Sequence, residues 1–117
     1  MVICRERIAD QELRRLVERF FGDMVKIVID VRRRVLAAGG ELHADAEQVL
    51  LADGSLQADL WGANYYPATD PERCIEYTAL INIRPSQDNP SMEVTDEATR
   101  RVIREIVYTL LGRGEAL

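Results

Sequence analysis

The chain is organised around one stretch, Tyr77 to Asn89, which reads Tyr-Thr-Ala-Leu-Ile-Asn-Ile-Arg-Pro-Ser-Gln-Asp-Asn. Its first half, with the residues just before it, is rich in β-forming side chains and predicts a strand over 74–83. From Arg84 onward the stretch is polar, and Pro85 cannot donate a hydrogen bond to a strand ladder. A strand that ends in hydrogen-bonding side chains is a common way to hold a site on a rigid scaffold. The stretch therefore predicts a central strand with a binding site at its end.

The partner of this strand is expected at residues 60–66, Leu-Trp-Gly-Ala-Asn-Tyr-Tyr, which are aromatic-rich and end at Pro67. The two segments are close enough in sequence to form an antiparallel hairpin with a wide loop. Side chains alternate between the two faces of a strand. The face expected to enter the core carries Ala79, Ile81 and Ile83.

Three helices are predicted, over residues 10–21, 24–38 and 95–111. The first and last show apolar residues at helical spacing. The middle segment fits two patterns, because its apolar residues alternate as in a strand and also mark one helical face. Its length of about 15 residues without a turn signal favours a helix, which would end at Gly39-Gly40.

Helices flanking a small, mostly antiparallel sheet give an α+β fold, and the 117 residues of the chain suggest a single domain, 1–117. The net charge of −5, from 15 basic and 20 acidic residues, argues against general nucleic-acid binding. The sequence has no apolar run of membrane-spanning length and no signal-peptide pattern, so a cytoplasmic location is expected. Cys4 and Cys74 lack metal or redox spacing and are expected to be buried.

The only histidine, His43, lies in the segment Glu41-Leu42-His43-Ala44-Asp45. If this segment is extended, Glu41, His43 and Asp45 point to one side as three potential metal ligands. His43 could instead be a catalytic acid or base, since its ordinary pKa of about 6.5 suits neutral pH. The alternative is a solvated edge with a locally bonded histidine, where Asp45 caps a short helical turn with Gln48 at its third position.

A second candidate site lies at the end of the central hairpin. Arg84 carries a planar fork that matches a carboxylate or phosphate. Neutral hydrogen-bonding groups are expected around it from Asn64, Ser86, Gln87 and Asn89. The alternative is a turn-rich loop that satisfies its own backbone, with Arg84 paired to a structural acid such as Glu76 or Glu41.

Several motifs carry a resemblance to known proteins. They are Phe20 to Lys26, Gly39 to Asp45 (GGELHAD), Leu60 to Pro67 (LWGxNxYP) and Ile81 to Gln87 (INIRPSQ). Together they resemble a small prokaryotic family of uncharacterised proteins, a domain of unknown function. The resemblance implies a free-standing bacterial or archaeal domain of about this length. It implies no activity, so no functional residue is carried over from it.

Three kinds of function follow as hypotheses. The first is a small binding or regulatory module that holds an anionic ligand, or an acidic group of a partner, at Arg84. The second is a hydrolase, metal-dependent or not, that uses His43 with Glu41 or Asp45. The third is a homo-oligomeric structural protein, such as a homodimer, that uses Trp61 and the hairpin as its interface. The cofactor is unknown, and none is expected by default.

Overall fold

The computed structural model describes all 117 residues. The three α-helices and five β-strands are, in chain order, β1 (Val2–Cys4), α1 (Asp10–Phe20), β2 (Val25–Asp30), β3 (Val35–Ala38), α2 (His43–Ala52), β4 (Leu60–Tyr65), β5 (Ile75–Glu76) and α3 (Glu97–Leu110). Three short 3₁₀ turns lie at Gln57–Asp59, Leu80–Asn82 and Pro85–Gln87. The α+β class predicted from the sequence is confirmed.

The five strands form one sheet in the order β1-β3-β2-β4-β5, and every neighbouring pair is antiparallel. The expected pairing of residues 60–66 with the segment that follows Cys74 is present, as β4 against β5. Helices α1 and α3 cover one face of the sheet, and α2 lies on the other. The sheet therefore supplies two sets of inward-facing side chains, one to each layer of helices.

The larger core lies between the sheet and helices α1 and α3. Leu13, Leu16 and Val17 are buried from α1 at the spacing of one helical face. Helix α3 buries Ile103, Ile106, Val107 and Leu110 in the same way. Asp96 is the N-cap of α3, because its carboxylate accepts from Thr99 N at 2.9 Å. The predicted helices over 10–21 and 95–111 are thus confirmed, with ends shifted by one or two residues.

The predicted helix over 24–38 is wrong, since this segment forms the hairpin of β2 and β3. The Asp30 carboxylate accepts hydrogen bonds from Arg32 N and Arg33 N, which closes a turn where the helical interpretation requires continuation. Arg34 completes that turn with a positive φ of 58°. Both faces of β2 are buried, so its apolar residues are nearly continuous along the sequence. Such a run also contains apolar residues at helical spacing, which is why it fits a helix pattern.

The predicted strand over 74–83 is correct only at Ile75–Glu76, because the chain then leaves the sheet. The side chain of Asn82 replaces the missing strand: its Nδ2 donates to Gly62 O at 2.9 Å, and its Oδ1 accepts from Gly62 N at 2.8 Å. Ala79 lies directly over Gly62, where a Cβ would stand 2.5 Å from the Ala79 Cβ. Of the expected core face, Ala79 is buried, whereas Ile83 is exposed.

The expected extended segment at 41–45 is also wrong, because α2 begins at His43. Asp45 is the third residue of the helix and not its cap, and its carboxylate accepts from Leu42 N at 3.3 Å. None of the three helices has both the length and the apolar composition that a membrane-spanning helix needs.

Candidate functional site

A cavity of about 380 Å³ opens where the first turn of α2 meets the sheet and the segment that follows β5. Four of its lining residues are polar, namely Lys26, His43, Asn64 and Thr78. The other six are apolar or small, namely Leu42, Ala44, Ala79, Leu80, Ile81 and Met92. A concave, mostly apolar surface with a few convergent polar groups is the usual form of a small-molecule site.

A row of polar side chains crosses three neighbouring strands here, and two of its members, Lys26 and Asn64, form the floor of the cavity. Asn64 on β4 is the direct partner of Lys26 on β2 and of Glu76 on β5. Directly opposed residues on antiparallel strands project from the same face of the sheet. The register of the strands therefore brings an ammonium, an amide and a carboxylate side by side.

His43 stands over this row from the first residue of α2. Its Nε2 lies 2.8 Å from Ala63 O and 2.9 Å from Asn64 Oδ1. The orientation of the Asn64 amide is fixed by Glu76, because a carboxylate Oε1 at 2.6 Å accepts from Asn64 Nδ2. Both neighbours of Nε2 are therefore acceptors, so Nε2 carries the proton and Nδ1 of the neutral ring is a free acceptor.

The surroundings of the imidazole favour its neutral form. Burial lowers the pKa of His43 below its ordinary value, and the positive charge of Lys26 acts in the same direction. The hydrogen bonds to Ala63 and Asn64, and the charge of Glu76, oppose this shift only in part. At neutral pH the ring is thus an uncharged hydrogen-bonding group with a fixed orientation.

The mouth of the cavity is apolar and open to solvent. Leu80 is 70% exposed, Leu42 is 59% exposed and Met92 is 41% exposed. Large exposed apolar side chains grouped around a concavity are typical of a binding surface. Here they surround the polar floor formed by Lys26 and Asn64.

Arg84 does not reach this cavity, so the structure does not join it with His43 in one site. Its guanidinium bonds to the carbonyl oxygens of Ile81 and Gln57, each at 3.0 Å, and to that of Leu60. It also stacks 4.6 Å above the ring of Trp61. Arg84 thus fastens the loop after β5 to the start of β4, using backbone carbonyls and not the acids Glu76 or Glu41.

The electrostatics of Arg84 reflect this buried position. Burial lowers the pKa of its guanidinium, and the carboxylate of Glu47 acts in the opposite direction. Glu47 is itself buried on α2, with an Oε2 that forms no hydrogen bond. Trp61, expected from the sequence as an interface residue, is buried beneath Arg84 in the main core.

Two of the other residues expected around Arg84 do contact it, since Gln87 Oε1 accepts from Arg84 Nη1 at 3.3 Å and Asn89 pairs with Arg84 through backbone hydrogen bonds. Asn89 is buried and organises its own loop, since its Nδ2 donates to the carbonyl oxygens of Asn82, Ser91 and Glu93. Gln87 donates to Ala58 O at 3.0 Å, and Ser86 is exposed. Of the expected ligand-binding set, only Asn64 lines the cavity that contains His43.

The metal-ligand hypothesis loses its geometric basis, because Glu41, His43 and Asp45 do not lie on a strand. Glu41 and Asp45 are exposed, and Asp45 is bonded to the start of its own helix. No group of three or more His, Cys, Asp or Glu side chains is placed to hold a metal ion.

Sequence reasoning missed Lys26 and Thr78 as site residues. The alternation of residues 25–31 contained the signal for Lys26. A strand there places the Lys26 side chain on the other face of the sheet from Val25 and Ile27. Thr78 gave no such signal, because its position depends on where the chain leaves the sheet after Glu76.

A family model described as "Protein of unknown function (DUF5674)" matches residues 2–110, nearly the whole chain. No curated protein and no solved structure matches the chain.

Proposed function

Because the chain belongs to the DUF5674 family of proteins of unknown function, we propose a function from its geometry: it binds a small carboxylate with an apolar body. The site is the cavity at the first turn of α2. The observation that carries the proposal is that Lys26 and His43 line one cavity whose other residues are mostly apolar. This keeps the anionic ligand expected from the sequence but moves it from Arg84 to Lys26.

The carboxylate end of the ligand is matched by the charges of the site. Lys26 supplies an ammonium group, and Thr78 adds a hydroxyl. His43 and Ala44 are the first two residues of α2, where backbone N–H groups lack helical partners and the helix dipole is positive. A carboxylate beside these groups gains charge-assisted hydrogen bonds.

The apolar body of the ligand is matched by the mouth of the cavity. Leu42, Leu80 and Met92 are exposed there, and covering them removes apolar surface from water. The volume of about 380 Å³ is within the range of small-molecule sites. It suits a molecule about the size of a substituted benzoate.

The experiment compares benzoate, benzamide and benzyl alcohol by isothermal titration and by amide chemical-shift mapping. Benzoate is expected to bind tighter than its two neutral analogues. Lys26→Met should weaken benzoate about tenfold, the loss of one charge-assisted contact, and should leave benzamide unchanged. Arg101→Met is the matched control, because it removes one positive charge from an exposed position on α3. Equal affinity for all three compounds, with no effect of Lys26→Met, would overturn the proposal.

A catalytic role for His43 is the second candidate. It is favoured by the chain of hydrogen bonds from Nε2 through Asn64 to Glu76, which leaves Nδ1 as a possible general base. Hydrolysis of p-nitrophenyl butyrate tests this role in the wild type and in His43→Gln. A rate at least tenfold above that of the variant supports it, and equal rates exclude it for esters of this kind.

We also propose that residues 1–117 act as one domain in the cytoplasm of a prokaryote. All five strands, from β1 near residue 2 to β5 at residue 76, belong to one sheet, which supports one domain. Cys4 and Cys74 are both buried and unpaired, which fits a reducing compartment. Cell fractionation with an antibody against the chain tests the location.

A further inference from the structure

A second cavity, separate from the first, lies between α3 and the segment around β5. It has a volume of about 390 Å³. Its lining residues are Pro71, Glu72, Ile75, Tyr77, Arg100, Arg104 and Tyr108. Tyr77 lines this cavity and the next residue, Thr78, lines the first, so one extended segment separates the two. Two of the lining residues are arginines, and both belong to α3.

Arg100 is held in a fixed orientation by contacts that leave its outer nitrogens free. Its Nε donates to Val94 O at 2.5 Å, and its guanidinium stacks 4.7 Å from the centre of the Tyr77 ring. The carboxylate of Glu93 is 4.0 Å from Nη2, beyond hydrogen-bond distance, and Glu93 is mostly exposed. The two terminal nitrogens are therefore preorganised without a tight partner.

Arg104 follows one helical turn later on the same face of α3. It lies beside the Tyr77 hydroxyl, which raises the pKa of the guanidinium. Its ion pair with Glu97 is 3.9 Å long, and the Glu97 side chain is 69% exposed. Exposed pairs of this length contribute little and leave the arginine able to bind another anion.

We propose that this cavity binds the phosphate group of a small phosphate monoester, with Arg100 and Arg104 as its two arginine contacts. Two adjacent planar forks match the oxygen atoms of a phosphate group, which is doubly charged near neutral pH. Glu72 is the one carboxylate that lines the cavity. Glu72 repels a free phosphate ion, but it accepts a hydrogen bond from a hydroxyl on the ester part of the ligand.

The test measures the dissociation constants of inorganic phosphate and glycerol 3-phosphate at constant ionic strength by chemical-shift titration. Arg100→Lys and Arg104→Lys keep the charge and remove the fork, and each should weaken both probes about fivefold to tenfold. Arg104→Met should weaken them at least tenfold. Arg101→Lys and Arg101→Met, on the adjacent exposed position of α3, should change affinity less than twofold.

Glu72→Gln gives a result of opposite sign. It should tighten inorganic phosphate, because a repulsive charge is lost, and should reduce the preference for glycerol 3-phosphate. Equal weakening by the Arg101 and Arg104 variants would show only a general effect of surface charge and would overturn the proposal. So would chemical-shift changes that lie outside α3 and residues 71–77 in the folded wild type.

Discussion

The imidazole Nε2 of His43 lies 2.9 Å from Oδ1 of Asn64, so the only histidine of the chain is bonded to β4, the strand next to the sheet edge. This contact joins the start of α2 to β4 and fixes which ring nitrogen carries the proton. His43 also lines the same cavity as Lys26 and Thr78. The proposed carboxylate site depends on this relationship.

The first prediction concerns the pH dependence of stability. The pKa of His43 is lowered in the folded protein, mainly by burial, so the unfolded chain binds this proton more readily. The contribution of His43 is therefore fully present above its ordinary pKa of about 6.5 and is lost as the pH falls through the lower folded pKa. Urea unfolding at several pH values between 8 and 5 should show the free energy of unfolding decrease over the acidic part of this range.

His43→Gln provides the control for that measurement, since glutamine can still donate to Ala63 O but does not titrate. The decrease between pH 7 and 5 should become smaller in this variant. If the free energy of unfolding depends on pH in the same way in the wild type and in His43→Gln, the pKa of His43 is not lowered by folding.

The second prediction separates the role of Arg84 from ligand binding. Arg84→Met removes hydrogen bonds to three backbone carbonyls and should lower the free energy of unfolding by about 2 to 4 kcal/mol. Benzoate affinity should stay within twofold of the wild type at a temperature where the variant is folded. If the Arg84→Met protein is folded but no longer binds benzoate, Arg84 takes part in ligand binding, and its purely structural role is contradicted.

The third prediction tests the close approach of Ala79 to Gly62. Gly62→Ala places two Cβ atoms 2.5 Å apart, and this overpacking should cost about 1 to 3 kcal/mol of stability. In the double variant Gly62→Ala with Ala79→Gly, the Cβ–Cβ clash is removed, and the nearest remaining atoms belong to the Ile81 side chain, at 3.1 and 3.2 Å. A double-mutant cycle from urea unfolding should therefore show the pair to be more stable than the sum of the single effects, and additive costs would argue against this contact.

The sequence was sufficient for the fold class and for elements whose period is unambiguous. Leu13, Leu16 and Val17 occupy one helical face, and no strand pattern competes with them. Residues 60–66 were also predicted as a strand, because this aromatic-rich segment ends at Pro67. In these segments the local preference and the tertiary packing agree.

The failures have physical causes that lie outside the local pattern. Residues 25–38 form two strands because the Asp30 carboxylate accepts hydrogen bonds from Arg32 N and Arg33 N and so stabilises a turn between them. A run of arginines is not a sequence signal for a turn, so the turn was not predicted. The central strand stops after Glu76 because a side chain, that of Asn82, bonds to Gly62 in place of a backbone. Such long-range replacements cannot be read from a window of neighbouring residues.

The candidate site was predicted only in part for the same reasons. His43 and Asn64 were both identified, but they were assigned to different sites, since their proximity depends on the pairing of β2, β4 and β5. Lys26 was placed on a predicted helix and so could not be aligned with Asn64. Arg84 was predicted to hold a ligand, yet most of its guanidinium's partners are backbone carbonyls, which the sequence does not display.

The most direct test of the carboxylate site uses the single histidine as a probe. The imidazole resonances of His43 can be titrated between pH 8 and 5, in the absence of ligand and with saturating benzoate, with benzamide as the neutral control. A carboxylate bound beside His43 favours the protonated ring, so benzoate should raise the pKa of His43 while benzamide does not. Titration curves of His43 that coincide with and without benzoate would contradict the proposed site.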